Sequence, residues 1–242
     1  MKITFVGTSH GVPRASRYCS CFMIESGNSV YLVDAGAPVT DIFQKSGRPL
    51  DSIRAVFTSH AHCDHTAGIP FLANRMNWYL YQTNCDFFLT TEELIETVKA
   101  TNRAWGDGEL NPKKLRFHVP TEGVVFDDGN IKAEYIKTAH TDPSYAILIT
   151  EGEKRVLFGG DFSQDLKYND VPEIISEELD AFICELGHFG FDEIGPHLKK
   201  SKAKQVFFTH VYPDGRFDEI NRMKSEYPFP MCAPNDGDVV EI

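Results

Sequence analysis

His60-Ala61-His62-Cys63-Asp64-His65 is the stretch that decides how this chain reads. Three imidazoles and a carboxylate crowd into it, and Ala and Cys, not lysines, fill the gaps. Neutral imidazole and carboxylate donors are borderline-hard ligands that suit a divalent ion such as zinc. So short a loop cannot aim all four at one ion. His60 and His62, two apart on extended backbone, point to the same side. Asp64 and His65 lie further along and can turn towards a second ion. The alternative is an exposed His-rich turn, and the apolar run Ala55-Val56-Phe57-Thr58 leading straight into the motif counts against it.

Two further apolar stretches end in the same way. Val156-Leu157-Phe158-Gly159-Gly160 runs into Asp161, and Val206-Phe207-Phe208-Thr209 runs into His210. Open α/β sheets gather ligands beyond the carboxyl ends of their strands, so these residues stand where chemistry is done. The first and last runs look alike, which hints at two related halves. Working outward, a strand is expected at 2–6, then a hairpin of Cys19–Ser26 and Ser29–Val33 turning at Gly27-Asn28. A helix at 38–46 and the strand Arg54–Thr58 lead into the motif. Ile69, Leu72, Ala73, Met76 and Leu80 give Ala67–Tyr81 a helical period. Thr90 and Glu93 have the spacing of a capping box for a helix ending near Trp105-Gly106. The middle is strand-rich from Lys114 to Phe158. The last third alternates Ala181–Cys184, Glu193–Lys200, Gln205–Thr209 and Phe217–Tyr227 as strand and helix. Meandering strands combined with βα units predict a layered α/β protein with mixed sheets. With no low-complexity linker and no composition shift, residues 1–242 read as a single domain.

The 242 residues are 42% hydrophobic and 24% charged, with a formal net charge of −11. That apolar share excludes a disordered chain. No apolar run approaches the ~20 residues that span a bilayer, so no membrane association is expected. Met1-Lys2-Ile3-Thr4-Phe5-Val6-Gly7 is too short in its apolar part for an export signal and reads as a first strand, which points to a cytoplasmic protein. The acidic balance argues against a long nucleic acid as partner, because neutralising phosphates needs clustered cations. The lysine-dense Lys199–Lys204 reads as the solvated end of a helix. Six cysteines with no C-x-x-C pair read as reduced, buried thiols and not as a disulfide framework.

The H-x-H-x-D-H pattern of residues 60–65 resembles the signature of the metallo-β-lactamase superfamily, and the similarity extends over essentially the whole chain. The resemblance implies a four-layer αββα sandwich with two mixed β-sheets. It also implies three later ligands, which His140 in Thr138-Ala139-His140-Thr141, then Asp161, then His210 match in order. Carried over residue by residue, His60, His62 and His140 hold one divalent metal. Asp64, His65 and His210 hold the other, and Asp161 bridges them. Zn2+ is the first expectation, with Mn2+ or Fe2+ accepted by the same donors. Such a pair would lower the pKa of a shared water towards ~7 and hold phosphoryl oxygens during in-line attack. Even with Asp64 and Asp161 counted, the dimetal site stays positive, which favours an anionic small molecule.

Three segments are similar to the ribonuclease Z-like branch of that superfamily. One is the opening loop Gly7-Thr8-Ser9-His10-Gly11-Val12-Pro13, and another is Pro143-Ser144-Tyr145 after His140. The third, Cys184-Glu185-Leu186-Gly187-His188, resembles a His-Glu-Ala-Thr segment with Glu185 at the acidic position. It departs by placing Cys184 where the His stands and His188 one residue beyond. On this reading His188 protonates the leaving group or binds phosphate, and Glu185 orients its ring; the alternative is a structural Glu and a surface His.

The tRNA-gripping arm of ribonuclease Z proper has no room here, since only residues 141–160 separate His140 from Asp161. The expected activity is therefore a dinuclear phosphodiesterase acting on a small, cyclic nucleotide-like diester through a metal-bridging hydroxide, with Asp64, His188 and Glu185 as its catalytic set. A lactone or thioester hydrolase on the same site, with Tyr212 polarising the carbonyl, is the enzymatic alternative. A metal-stabilised interaction module is the non-enzymatic one. Between Phe71 and Trp105, the residues Met76, Trp78, Tyr79, Tyr81, Phe87 and Phe88 read either as an aromatic roof over the site or as core. Residues 101–113 read as a lid or a contact between copies, and a homo-oligomer is compatible with the sequence.

Overall fold

The computed structural model of the chain describes residues 1–80 and 82–242, and Tyr81 lies outside the described residues. The N-terminal half contains β1 (Lys2–Gly7), β2 (Cys21–Ser26), β3 (Ser29–Val33), α1 (Val39–Ser46), β4 (Ile53–Phe57), α2 (Cys63–Thr66), α3 (Ile69–Tyr79), β5 (Cys85–Phe88), α4 (Glu92–Ala104) and β6 (Leu115–His118). The C-terminal half contains β7 (Gly123–Asp127), β8 (Lys132–Lys137), β9 (Tyr145–Glu151), β10 (Lys154–Phe158), β11 (Glu178–Leu179), β12 (Ala181–Glu185), α5 (Phe191–Leu198), β13 (Lys202–Ala203), β14 (Val206–Thr209), α6 (Gly215–Met223), β15 (Met231–Cys232) and β16 (Val239–Glu241). The strands form two seven-stranded sheets, ordered β16-β1-β2-β3-β4-β5-β6 and β15-β14-β12-β10-β9-β8-β7, with β11 and β13 paired separately. Each large sheet joins an antiparallel meander to a parallel run: β3 to β6 in the first, and β10, β12, β14 and β15 in the second.

Side chains alternate between the two faces of a strand, and here both faces are buried. Ile3 and Phe5 of β1, Phe22 and Ile24 of β2, and Tyr31 and Val33 of β3 point inward. They meet Ile147, Ile149, Val156, Phe158 and Ile183 from the second sheet. Met23, Leu32 and Val56 point the other way, against Phe43 of α1, Leu72 and Met76 of α3, and Ile95 and Val98 of α4. Leu148, Leu157 and Phe182 do the same on the second sheet, against Ile194 of α5 and Ile220 of α6. Three apolar layers between four layers of secondary structure make the expected αββα sandwich. No helix among the described residues is long and apolar enough to cross a membrane.

Several local expectations need correction. The α4 cap is Thr91, whose hydroxyl accepts the Leu94 N–H at 3.0 Å, so the capping spacing from Thr90 is one residue early. Phe87 and Phe88 lie on β5, a four-residue strand paired in parallel between β4 and β6, and are core and not roof. Residues 101–113 begin within α4 and hydrogen-bond to α3: Asn74 donates to Asn102 of α4 and to Asp107 at 2.8 and 2.7 Å, and Asn77 accepts the Asn111 N–H at 2.8 Å. The hairpin strand begins at Cys21, and Cys19 instead makes an isolated bridge to Ser9.

Candidate metal centre

Strand ends from both sheets converge on one point. After β4 the chain bends through residues 59–61, and His62 (φ −61°, ψ 146°) caps the start of α2. The motif is thus divided into His60 in the bend, not on the extended backbone expected, His62 at the helix cap, and Asp64 and His65 on the helical turn. Thr66 Oγ1 donates to His62 O at 2.9 Å and closes the turn. His140 sits in the turn between β8 and β9, where the Thr138 hydroxyl donates to Ser144 Oγ and Ser144 donates to Thr141 O, each at 2.9 Å. Ser144 is thus a staple of this turn. Asp161 follows β10, and His210 follows β14 with its N–H donating to Thr8 O of the opening loop at 3.0 Å.

Asp161 Oδ2 is the centre. It lies 3.5 Å from His210 Nε2, 3.6 Å from His65 Nε2, and 3.8 Å from both His60 Nε2 and His140 Nε2. On one side His140 Nε2 is 3.2 Å from His62 Nδ1, and His60, His62 and His140 form a group able to hold an ion. On the other, Asp64 Oδ2 is 3.2 Å from His210 Nε2 and 3.5 Å from His65 Nε2, a second such group. All seven residues singled out by sequence come together.

Outer partners set the rings. His60 Nδ1 is 3.0 Å from Ser59 Oγ, His65 Nδ1 is 2.8 Å from Asp34 Oδ2, and His140 Nδ1 is 3.1 Å from Phe162 O. Each leaves Nε2 facing inward. There His60 Nε2, His65 Nε2 and Asp161 Oδ1 are buried without a hydrogen-bond partner. Unpaired buried polar atoms cost ~1–3 kcal/mol each, so their gathering around two carboxylates fits divalent cations as the missing partners. The electrostatics agree. Burial, helped by the charge of His65, holds the His60 ring neutral. Burial also opposes protonation of His65 and His210, yet Asp161, with Asp34 at His65 and Asp64 at His210, pushes both rings above their usual value. Burial would raise Asp64 and Asp161, but the imidazoles around them hold both carboxyls below the usual range. The carboxylates demand positive charge at this point.

Glu185 and His188 also reach the centre. His188 Nδ1 is 2.9 Å from each Glu185 oxygen and 3.8 Å from Asp161 Oδ2. Burial works against charge on the His188 ring, and Glu185 and Asp161 outweigh it and raise its pKa. Asp161, Glu185, His188 and His210 form another group close enough for an ion. Glu185, however, already accepts the N–H groups of Phe162, Gly187 and His188, at 2.8, 2.9 and 3.0 Å. Its lone pairs are spent on positioning His188.

Two residues escaped the sequence reading. Asp34, fully buried, accepts Ser59 N at 2.7 Å and Ser59 Oγ at 3.0 Å besides holding His65. Leu32-Val33-Asp34 is another apolar strand ending in a polar residue, and that signal could have found it. Arg216 of α6 donates to Leu186 O and Gly187 O at 3.1 and 2.9 Å, tying α6 to the turn before His188. Nothing local in the sequence marks it.

Two cavities flank the cluster. One of about 460 Å³ lies beside Asp64 and His210, walled by His10, Tyr212 and Arg216. The other, of about 600 Å³, lies beside His140. His188 and Gln164 line both. Met76, Trp78, Tyr79, Phe87, Phe88 and Trp105 line neither, so the aromatic roof is not formed by them.

The family profile described as "Anti-Pycsar protein Apyc1" matches residues 1–213. A ribonuclease Z from Shouchella clausii is 29% identical over 163 residues, which cover 64% of this chain and 49% of that protein. The chain therefore spans about half the length of that relative. The probable metallo-hydrolase YhfI of Bacillus subtilis is 26% identical over 242 aligned residues, 92% of this chain and 91% of that one. The crystal structure of YhfI superposes with a TM-score of 0.81 at 21% identity, covering 100% of this chain and 99% of that one. Human tRNase Z, short form, gives a TM-score of 0.78 at 20% identity over 100% and 99% of the two chains. A diphosphatase from the PhnP family gives 0.73 at 16% over 100% and 97%. These structural likenesses show the metallo-β-lactamase fold.

Proposed function

The chain belongs to the anti-Pycsar Apyc1 family, a metal-dependent hydrolase on the metallo-β-lactamase fold, and from that premise we propose that it cleaves a small, cyclic nucleotide-like phosphodiester. His60, His62 and His140 would hold one ion, Asp64, His65 and His210 a second, and Asp161 would be shared. Zn2+ suits this nitrogen-rich set best. When bound, the ions supply Lewis acidity towards the phosphoryl oxygens and a water ionised near neutral pH. Residues 1–242 would work as one domain, a reading supported by both sheets contributing donors to each half.

The observation that carries the reading is His188, beside the shared carboxylate and fixed by Glu185. A departing alkoxide needs a proton, and His188 stands where it can give one. Glu185 keeps Nδ1 engaged, which leaves Nε2 as the nitrogen available to give a proton. Ribonuclease Z and diphosphatase as names among the similar proteins support phosphoryl chemistry. Tyr212 lining the cavity of about 460 Å³ keeps a lactone or thioester hydrolase as the competing reading.

The test is one panel on metal-analysed protein. Bis(p-nitrophenyl) phosphate, 3′,5′-cyclic nucleotides, a lactone and a thioester are compared, with Asp64→Ala as control. Diester turnover that vanishes in Asp64→Ala is the expected result. Strong lactone turnover with no diester turnover reverses the ranking.

A further inference from the structure

The cavity of about 600 Å³ beside His140 has a far wall that the hydrolytic step does not use. That wall is the loop 163–170, and its backbone is strained. Asp165, Leu166 and Asn169 have φ of 54°, 49° and 51°, a left-handed region that Asp and Asn tolerate and that leucine rarely enters. The surroundings hold this shape from both sides. Leu166 is buried in the outer apolar layer of the second sheet. Asp165 N and Gln164 Nε2 both donate to His188 O, at 3.0 and 2.7 Å. Asp170 accepts the N–H groups of Ser163 and Ala139, each at 2.9 Å. The loop is clamped to the two segments that carry His188 and His140, and over-determined strain of this kind gathers at functional sites.

What the clamp presents is Tyr168, 62% exposed, with Lys167 Nζ 4.8 Å from its ring centroid. Lys137 lines the same cavity, and its ion pair is to a fully solvated Asp142 at 3.4 Å, which leaves donors to spare. An exposed ring with one ammonium group beside it and a second lining the same cavity matches a flat heterocycle that carries carbonyl acceptors, and it repels a cationic one.

Resting on the phosphodiesterase reading, we propose that loop 163–170 reads the organic substituent of the diester: Tyr168 stacks on a nucleobase, and Lys137 and Lys167 donate to its carbonyl oxygens, while the phosphate lies at Asp161. Tyr168 and Lys167 are then specificity residues with no part in bond cleavage. The competing location for the base is the other cavity, where His10 and Tyr212 pack with ring centroids 4.7 Å apart.

The experiment compares metal-loaded parent, Tyr168→Ala, Tyr168→Phe, Lys167→Ala and Tyr212→Ala on cyclic UMP and on glycerol 1,2-cyclic phosphate, which has no base. Calorimetric titration with UMP and with ribose 5-phosphate runs beside it. Tyr168→Ala is expected to raise KM for cyclic UMP about tenfold, the usual scale for losing one stacked base, with kcat within about twofold. Glycerol 1,2-cyclic phosphate and ribose 5-phosphate should be unaffected, and Tyr168→Phe should keep parental values. Lys167→Ala should weaken UMP in the same selective way. Equal losses on both diesters, no loss in Tyr168→Ala, or a base-selective loss that appears in Tyr212→Ala instead, each overturns the proposal. A parent that cleaves no diester overturns the phosphodiesterase reading alone, because the UMP against ribose 5-phosphate comparison still judges the loop.

Discussion

Replacing Asp34 with asparagine should weaken metal binding by about ten- to a hundredfold without unfolding the chain. The side chain orients a donor in each half of the centre. It holds His65 Nδ1 directly at 2.8 Å, and through Ser59 Oγ at 3.0 Å it reaches His60 Nδ1, a further 3.0 Å on. Asparagine has the same shape and tolerates the left-handed backbone at this position, where φ is 56°. Its amide, however, offers one acceptor oxygen where three donors converge. If that oxygen faces Ser59 N, the amide NH2 confronts His65 Nδ1–H. The ring escapes by moving its proton to Nε2, the nitrogen aimed at Asp161, and so blocks its own coordination. If the amide flips, a donor faces Ser59 N instead. A hydrogen bond to a charged group is worth ~1.5–3 kcal/mol, which sets the size of the loss and converts to the stated range in affinity. Competition with a chelator of known affinity, and elemental analysis of the purified protein, read it out. Thermal unfolding of the chelated protein separates fold from affinity and should show a drop of no more than about 2–8 °C. Ser59→Ala, which leaves the direct Asp34–His65 contact in place, should fall between parent and Asp34→Asn. Metal affinity in Asp34→Asn within about twofold of parent would refute the orienting role.

Gly36→Ala should lower the Tm by about 3–10 °C in a melting curve, because the new Cβ would stand 1.7 Å from the Asp64 carbonyl oxygen and must displace backbone; an unchanged Tm contradicts that contact. Burial would raise the Asp128 carboxyl, but the Tyr31 hydroxyl at 2.6 Å and the N–H groups of Ile131 and Asn130 outweigh it and hold it below the usual range. A depressed folded pKa gives stability that is complete above the unfolded value of ~3.9 and is lost as pH falls through the folded one. Tyr31→Phe should therefore cost ~1–3 kcal/mol in urea unfolding at pH 7, and the gap to parent should close as the pH is lowered below 4; a gap that is flat with pH disproves the linkage. His188→Ala should cost about a hundredfold or more in kcat on diesters with alkoxide leaving groups and little with p-nitrophenolate, and equal losses on both would remove it as proton donor. Chelation should lower the Tm of the loaded protein, since saturation at about a thousand times Kd contributes ~4 kcal/mol, and identical melts with and without metal would deny the centre any ion.

The parts of the site that were legible in the sequence are those whose chemistry is dense or whose strands are bounded. His60 to His65 is unambiguous because four donors crowd one turn, and Asp161 and His210 follow apolar strands that are long enough to recognise. Asp34 carries the same signature after Val33, but a single carboxylate beyond a strand is too common to stand out until a ring is seen to lean on it. Strand β5 was hidden for a different reason. Cys85, Phe87 and Phe88 are buried on its two faces and only Asp86 is half-buried, so the segment lacks the alternation that marks a half-exposed strand and reads as part of an aromatic helical region. The strained turn at Leu166 has no signature at all, because leucine there is chosen by the apolar layer it enters and not by the backbone it must adopt.

The centre also explains why this fold needs two sheets. His60, His62, Asp64 and His65 follow β4 of the first sheet, whereas His140, Asp161 and His210 follow β8, β10 and β14 of the second. Neither group of donors is complete on one sheet, and Asp161 reaches rings from both. The relative placement of the sheets is set by the inward rows, such as Phe22 against Phe158 at 5.4 Å between centroids and Phe5 against Phe207 at 5.1 Å. Packing in that layer and the spacing of the donors are therefore one variable. A shift of one sheet by a fraction of an ångström would move His140 and His210 together against His62 and His65, and a close-packed apolar layer resists such a shift far better than the solvent-exposed loops could.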